Sequence, residues 1–283
     1  MTRPIRLMPR SAILLGLALL LGAASAAMAS STASHRVQIL PDIWMDQLQR
    51  QRTIRVYLPD GYGKSDRRYP VLYMHDGQNL FDDATAYAGE WGVDETLSEL
   101  QSARGLALIV VGIDNGGDAR INELKPFDHP KYGPGEGEAY LDFLVRELKP
   151  RIDREYRTLA GRDHTAIMGS SLGGLMSHVA ITRYPETFSR AGIFSPAYWI
   201  APAFFQEARQ FLPADSRLYL LAGGREGEEM VSDYRRMTAL LKDSQEAAVL
   251  HRLAPQGEHN ERFWRSELKA AIEWLFPPET PDA

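Results

Sequence analysis

The chain has no cysteine among its 283 residues, which excludes disulfide staples, thiolate metal ligands, a cysteine nucleophile and a lipidated cysteine anchor. It also lacks an excess of positive charge. The 32 Lys and Arg stand against 37 Asp and Glu, a formal charge of −5, and a nucleic-acid partner would call for a basic surface. Internal repeats and low-complexity stretches are missing. So is any apolar run of the ~20 residues a spanning helix requires.

The longest apolar run, Ala12 to Leu21, lies behind Arg3, Arg6 and Arg10 and ahead of Ala27-Met28-Ala29, a small-residue cleavage site. This pattern reads as a signal peptide over residues 1–29 rather than a membrane anchor, because the run is short and no stop-transfer charges follow. Residues 30–283 are expected to form a single domain, periplasmic or secreted, with no membrane anchor after cleavage. Cleavage removes three of the basic residues and no acidic one, making the mature chain more acidic still. With 44% hydrophobic residues the chain can fill a real core.

From Arg52 onward, apolar runs of strand length alternate with helical patterns. The runs are Ile54–Leu58, Pro70–Met74, Leu106–Ile113, Thr165–Met168, Ala191–Phe194, Leu218–Ala222 and Val249–Leu253. Such alternation predicts an α/β fold whose mostly parallel central sheet has helices on both faces. Val37 to Leu58 has no intervening helix and predicts antiparallel strands at the N-terminal edge. Tyr140, Phe143, Leu144, Leu148 and Ile152 share one face of a helix, and Met237, Leu240 and Leu241 share another. Sites in open parallel sheets form outside the carboxyl ends of the strands.

Gly169-Ser170-Ser171-Leu172-Gly173 stands at one such end, between a strand and a helix. A serine at the tip of a strand-to-helix turn takes a strained backbone, and glycines two residues either side let strand and helix pass closely. The glycines flank Ser171, not Ser170, so Ser171 is the candidate nucleophile; an ordinary Gly/Ser turn is the competing reading. His259, on the loop after the last strand, can reach back as its base, or else it is a solvated helix-capping residue. His35, His129, His164, His178 and His251 suit the role less well, and no histidines and carboxylates fall at metal-ligand spacing, so neither metal nor cofactor is expected.

An imidazole that takes a proton needs a carboxylate to hold its tautomer. The turn after Leu218–Ala222 offers Glu226 first, then Glu229 and Glu228; a surface acidic turn is the alternative. Backbone donors for an oxyanion are expected from Leu172 and from Gly77 or Gln78, in the turn after the strand ending at Met74. The segment Asp114 to Glu136 is read as a long irregular loop over the same rim, with Asn115, Arg120 and Tyr132 as substrate contacts. Arg120 could equally be a solvated charge or pair with Glu123. Tyr198 and Trp199 are read as an aromatic wall, or else as core.

These pieces together resemble the esterase branch of the α/β-hydrolase superfamily, which includes trilactone siderophore esterases, feruloyl and acetyl-xylan esterases, S-formylglutathione hydrolases and mycolyltransferases. The likeness runs from about Arg52 to the end. It is carried by Tyr73 to Asp82, Val111 to Gly116, Tyr156-Arg157-Thr158, Gly169 to Gly174, Ser195 to Trp199 and Gly257 to Asn260. It implies nucleophile Ser171, base His259, and oxyanion amides at the Gly77/Gln78 turn and Leu172. Several relatives carry Asp in the turn that here reads Gly223-Gly224-Arg225-Glu226, and some siderophore esterases are described as serine-histidine dyads, so Glu226 is the less secure member. The expected activity is that of an exported serine hydrolase acting through an acyl-enzyme on a small-molecule ester, such as a short-acyl ester of a sugar. The alternatives are a trilactone siderophore esterase, an acyltransferase or a non-catalytic binding protein on the same scaffold.

Overall fold

The computed structural model describes residues 30–209, 214–242 and 247–277; the export segment read at residues 1–29 lies outside them. Its strands are β1 (Val37–Met45), β2 (Arg50–Tyr57), β3 (Val71–His75), β4 (Ile109–Ile113), β5 (Thr165–Ser170), β6 (Arg190–Phe194), β7 (Arg217–Gly223) and β8 (Ala248–Ala254). They form one 8-stranded sheet in the order β1-β2-β4-β3-β5-β6-β7-β8. β1 is antiparallel to β2, and β2 to β4, while every later pairing is parallel. This is the mostly parallel sheet with an antiparallel N-terminal edge that the sequence predicts. β4 starts later than the predicted Leu106, because pairing begins where the Ile109 amide reaches the Pro70 carbonyl.

Every residue of β3, β4 and β5 is buried, which is why these runs are apolar throughout rather than alternating. Strand periodicity sends neighbouring residues to opposite faces. On one face Tyr73, Val111, Ile167, Ile193 and Leu220 join one core cluster. On the other, Met74, Val110, Met168, Phe194 and Leu221 join a second. The second face is covered by α1 (Val93–Arg104) through Leu97 and Leu100, and by α8 (Glu261–Leu275) through Leu268, Ile272 and Leu275. The first is covered by α5 (Leu172–Arg183) through Leu175, Met176 and Val179. α7 (Glu228–Leu241) packs there too, through Tyr234, Met237 and Leu241.

The rest of that first layer is a continuous helical rod: α3 (Gly137–Phe143), a π-type turn over Leu144–Leu148, and α4 (Lys149–Glu155). Tyr140, Leu144, Leu148 and Ile152 recur every fourth residue and are all buried. In a pure α-helix each such step drifts by roughly 40°. The wider π turn takes up that drift and keeps the row against the sheet.

The segment Asp114 to Glu136, expected to be irregular, contains a 3₁₀ turn at Gly117–Ala119, a short helix α2 (Arg120–Glu123) and a His129–Gly133 bridge. Its order comes from ion pairs to β2 and from hydrogen bonds within the segment itself. Glu123 is buried and accepts from Arg52 at 2.5 Å and Arg50 at 3.0 Å. Lys125, buried as well, donates to the carbonyls of Tyr132 and Gly133 at 2.7 Å each. Local periodicity cannot reveal pairings across such separations.

Candidate active site

Ser171 sits between the end of β5 and the first residue of α5 with φ 58° and ψ −119°, a conformation that costs a non-glycine residue energy and persists only where its surroundings enforce it. Here the Ser171 amide donates to Phe194 O at 2.9 Å, and its carbonyl accepts from Leu175 at 3.0 Å and Ala197 at 3.0 Å. The flanking glycines are required by space. A Cβ on Gly169 would lie 2.9 Å from both His75 Cδ2 and the Gly173 carbonyl carbon, and one on Gly173 would lie 3.0 Å from His75 Cβ. His75 beneath the elbow is buried, with Nδ1 2.8 Å from Tyr140 Oη. Burial lowers its pKa to about 4, outweighing the opposite pull of Asp76.

Glu226 and His259 are in contact, with Glu226 Oε2 3.4 Å from His259 Nδ1. The Glu226 side chain is fully buried, and its other oxygen accepts from the Gly223 amide at 2.8 Å and from Ser195 Oγ at 2.5 Å. Ser195 in turn accepts from Trp264 Nε1 at 2.9 Å. The Trp264 ring meets the imidazole edge-on, 5.0 Å between centroids. Asn260 caps α8 by accepting the Phe263 amide at 3.0 Å, which fixes the loop just after His259. Glu228 and Glu229, the other acids considered, are exposed in the first turn of α7.

Ser195 and Trp264 carry no role in the sequence reading. Ser195 stands where the strand end meets Pro196 and takes φ 43°, a strained strand terminus that marks such sites. The serine and the Glu226–His259 pair thus occupy the carboxyl ends of β5 and β7 plus the loop after β8, linked across β6 by the Phe194 and Ser195 backbone. No hydrogen bond joins His259 to the Ser171 hydroxyl; in ligand-free sites such contacts are often long and tighten with substrate.

Among the described residues, the amides of Leu172, Gly77 and Gln78 meet no hydrogen-bond acceptor within the fold. Leu172 opens α5, where backbone donors point outward and the helix dipole favours negative charge. Gly77 and Gln78 form a 3₁₀ turn after β3. Gly77 packs against β4 so tightly that a Cβ would lie 2.8 Å from the Gly112 carbonyl carbon. The residue before it, Asp76, is held at φ 56°. Its carboxylate accepts from Arg120 Nε at 2.6 Å, Arg120 Nη2 at 2.8 Å and Asn115 Nδ2 at 2.6 Å. Burial opposes ionisation of Asp76, but the Arg120 fork and Asn115 prevail and hold it below the usual carboxylate range.

Asn115 and Arg120 therefore brace the turn next to the expected oxyanion donors; Arg120 pairs with Asp76 and not with Glu123. Asn115 also receives the turn's support, its amide donating to Gln78 Oε1 at 3.1 Å. Tyr132 and Trp199, both partly exposed, meet edge-to-face with centroids 5.6 Å apart. Tyr198 departs from the expected wall. It is fully buried, its hydroxyl 2.7 Å from His178 Nδ1 and its ring packed on Phe204 and Phe205, because a 3₁₀ turn at Tyr198–Ile200 sends it inward.

A family model described as "Putative esterase" matches residues 46–275. The uncharacterized protein YbbA of Bacillus subtilis is 24% identical over 241 residues, covering 80% of this chain and 92% of that protein. The iron(III) salmochelin esterase of Escherichia coli is 25% identical over 238 residues, covering 77% of this chain and 53% of that protein. Among solved structures, an IroE-like serine hydrolase from Shewanella oneidensis matches with a TM-score of 0.72 at 21% identity, over 87% of this chain and 82% of that one. This last likeness is one of fold.

Proposed function

Because the chain belongs to the Esterase family, we propose that this carboxylic-ester hydrolase works through a serine-bound acyl intermediate and is exported by its first 29 residues. Ser171 Oγ attacks the ester carbonyl while His259 takes its proton. Glu226 at Nδ1 leaves Nε2 as the basic nitrogen and stabilises the imidazolium. In this reading the tetrahedral oxyanion is taken by the Leu172 amide and the Gly77/Gln78 turn, whose donors meet no acceptor among the described residues. Collapse expels the alcohol, protonated by His259, and water repeats the sequence on the acyl-serine. The observation that carries this reading is Ser171 itself, held at φ 58° directly before a free helix N-terminus.

Short-acyl esters of sugars or similar compact soluble molecules are the substrate class we favour. The partly exposed, edge-to-face Tyr132–Trp199 pair offers aromatic surface against which a sugar could pack, and Arg120 is spent on Asp76 rather than left to bind an anion. A trilactone siderophore is the second reading, favoured by the salmochelin esterase relative. Acyl transfer shares all the same parts, and a binding protein without turnover would share the scaffold.

The test is turnover of p-nitrophenyl esters from acetate to long acyl chains by residues 30–283, beside Ser171→Ala. Short-chain hydrolysis that vanishes in the variant is expected. Turnover retained by the variant would overturn the serine mechanism. Failure of a fluorophosphonate to label Ser171 in folded protein would leave the binding protein. Acetylated sugar and trilactone substrates, assayed with and without an added alcohol acceptor, then divide the remaining readings.

A further inference from the structure

The residues just ahead of β1 are tied to the loop from Asp82 to Glu90, which follows the Gly77/Gln78 turn. Ser31 Oγ donates to Asp82 Oδ2 at 2.6 Å and the Thr32 amide to Asp82 Oδ1 at 3.1 Å. Thr32 Oγ1 donates to Glu90 Oε2 at 3.2 Å and accepts from the Asp83 amide at 2.9 Å. These partners lie 50 or more positions along the chain, so the tertiary fold places this strap. Asp82 in turn organises the loop. Its Oδ1 also accepts the Ala84 amide at 3.0 Å, and its carbonyl takes the amides of Thr85 at 3.1 Å and Ala86 at 3.0 Å. Burial opposes ionisation of Asp82, but the Ser31 hydroxyl and the Ala84 and Thr32 amides hold its carboxyl below the ordinary value. The strap therefore binds a carboxylate, which strengthens each bond.

The loop and the residue after it reach back to the turn. Thr85 Oγ1 donates to Gln78 O at 2.7 Å, the Tyr87 amide to Asn79 Oδ1 at 3.0 Å and the Trp91 amide to Asn79 O at 2.8 Å. We propose that Ser31 and Thr32 are positioning residues for ester hydrolysis, holding this loop and through it the backbone donors of the Gly77/Gln78 turn, a role that rests on the serine mechanism proposed above. The Gln78 carbonyl and amide share one Cα, so a carbonyl fixed by Thr85 restrains where the amide points. An oxyanion donor displaced by ~1 Å costs rate without weakening ground-state binding.

Kinetics of Thr32→Val, Thr32→Ser and Ser31→Ala on the best short-chain ester, beside Ser171→Ala, test it. Valine keeps the shape of threonine and removes both hydroxyl bonds; serine restores them. Thr32→Val should lower kcat at least ~10-fold, short of the ~10²–10³ that an oxyanion donor lost outright costs. KM and the acid limb of the pH profile should not move, because neither the substrate's surroundings nor the base is altered. Thr32→Ser should recover kcat. Affinity for a trifluoromethyl ketone, which Ser171 converts to a tetrahedral oxyanion, should fall with kcat by a similar factor. Ser31→Ala should lower kcat and ketone affinity together, and it carries the comparison if Thr32→Val does not fold. Unchanged kcat and ketone affinity, a loss that Thr32→Ser does not recover, a change in KM alone or a shifted acid limb would each overturn the proposal while Ser171→Ala stays inactive. Turnover retained by Ser171→Ala would overturn the serine mechanism, and this role with it.

Discussion

Glu226 and His259, 33 positions apart in sequence, meet at 3.4 Å because glycine backbone lets their two loops touch. A Cβ on Gly223 would run into the Gly257 carbonyl, and one on Gly224 would lie 2.8 Å from Pro255 O. Gly224 N donates to Ala254 O at 2.7 Å and Arg225 N to Gly257 O at 3.0 Å, so the acid's turn and the histidine's loop form a single braced unit.

Glu226→Gln should therefore fold normally and fail in turnover. The amide oxygen can still accept from Gly223 and Ser195, but the partner that favours the correct tautomer and the imidazolium is gone, and kcat should fall by ~10²–10⁴ with KM little changed. Steady-state kinetics on the best short-chain ester measures it. Near-wild-type kcat would mean a serine-histidine dyad or another acid.

Gly223→Ala tests the backbone contact without touching an ionisable group. The added methyl meets Gly257 backbone, which cannot swing aside as a side chain would, so unfolding in urea should show a loss of about 1–3 kcal/mol. Turnover should fall further than stability explains, because the strain lies between acid and histidine. An unchanged urea midpoint and unchanged kcat would show that the loops can part at no cost.

How much of this the sequence discloses depends on the range of each interaction. The strands could be read because burial on both faces leaves unbroken apolar runs, and the elbow because Gly169 and Gly173 bracket Ser171 at a strand-helix junction. The inward turn of Tyr198 was not legible, since an aromatic after a strand looks alike whether it faces the core or the rim. Nor was the Asp76–Arg120 pair, 44 residues apart, or the bridge from Trp264 through Ser195 to Glu226. Each is a long-range hydrogen bond with no periodic signature, and only the positive φ values of Asp76 and Ser195 mark them once the fold is known.

Stability should decline as pH falls through the weakly acidic range. Burial lowers the pKa of His75 to about 4 and of His178 to about 3, from an ordinary 6.5. The unfolded chain then binds protons that the native state refuses, so this stability is complete above the ordinary value and drains away as pH drops towards the folded values. Asp76, lowered by the Arg120 fork against its burial, adds a loss that begins only below its unfolded value. Urea midpoints taken from about pH 7.5 to about pH 4.5 should fall, though by less than the two imidazoles alone would give, because burial raises the Asp94 carboxyl to about 7 and its proton uptake in the folded state works the other way; imidazole resonances of His75 and His178 that titrate near their ordinary value in the folded protein would overturn the assignment.

Trp199→Ala should raise KM several-fold on the preferred ester while leaving kcat nearly unchanged, the pattern of an interaction made equally in ground and transition states. Lys125 fixes the backbone of Tyr132, and Tyr132 meets the Trp199 ring edge-on, so the platform is set before substrate arrives and its removal need not disturb Ser171. If kcat falls as well, remote binding by the indole contributes to orienting the ester for attack. If KM is unchanged across acyl chains and alcohols alike, the aromatic pair packs the loop and the substrate lies elsewhere on the rim.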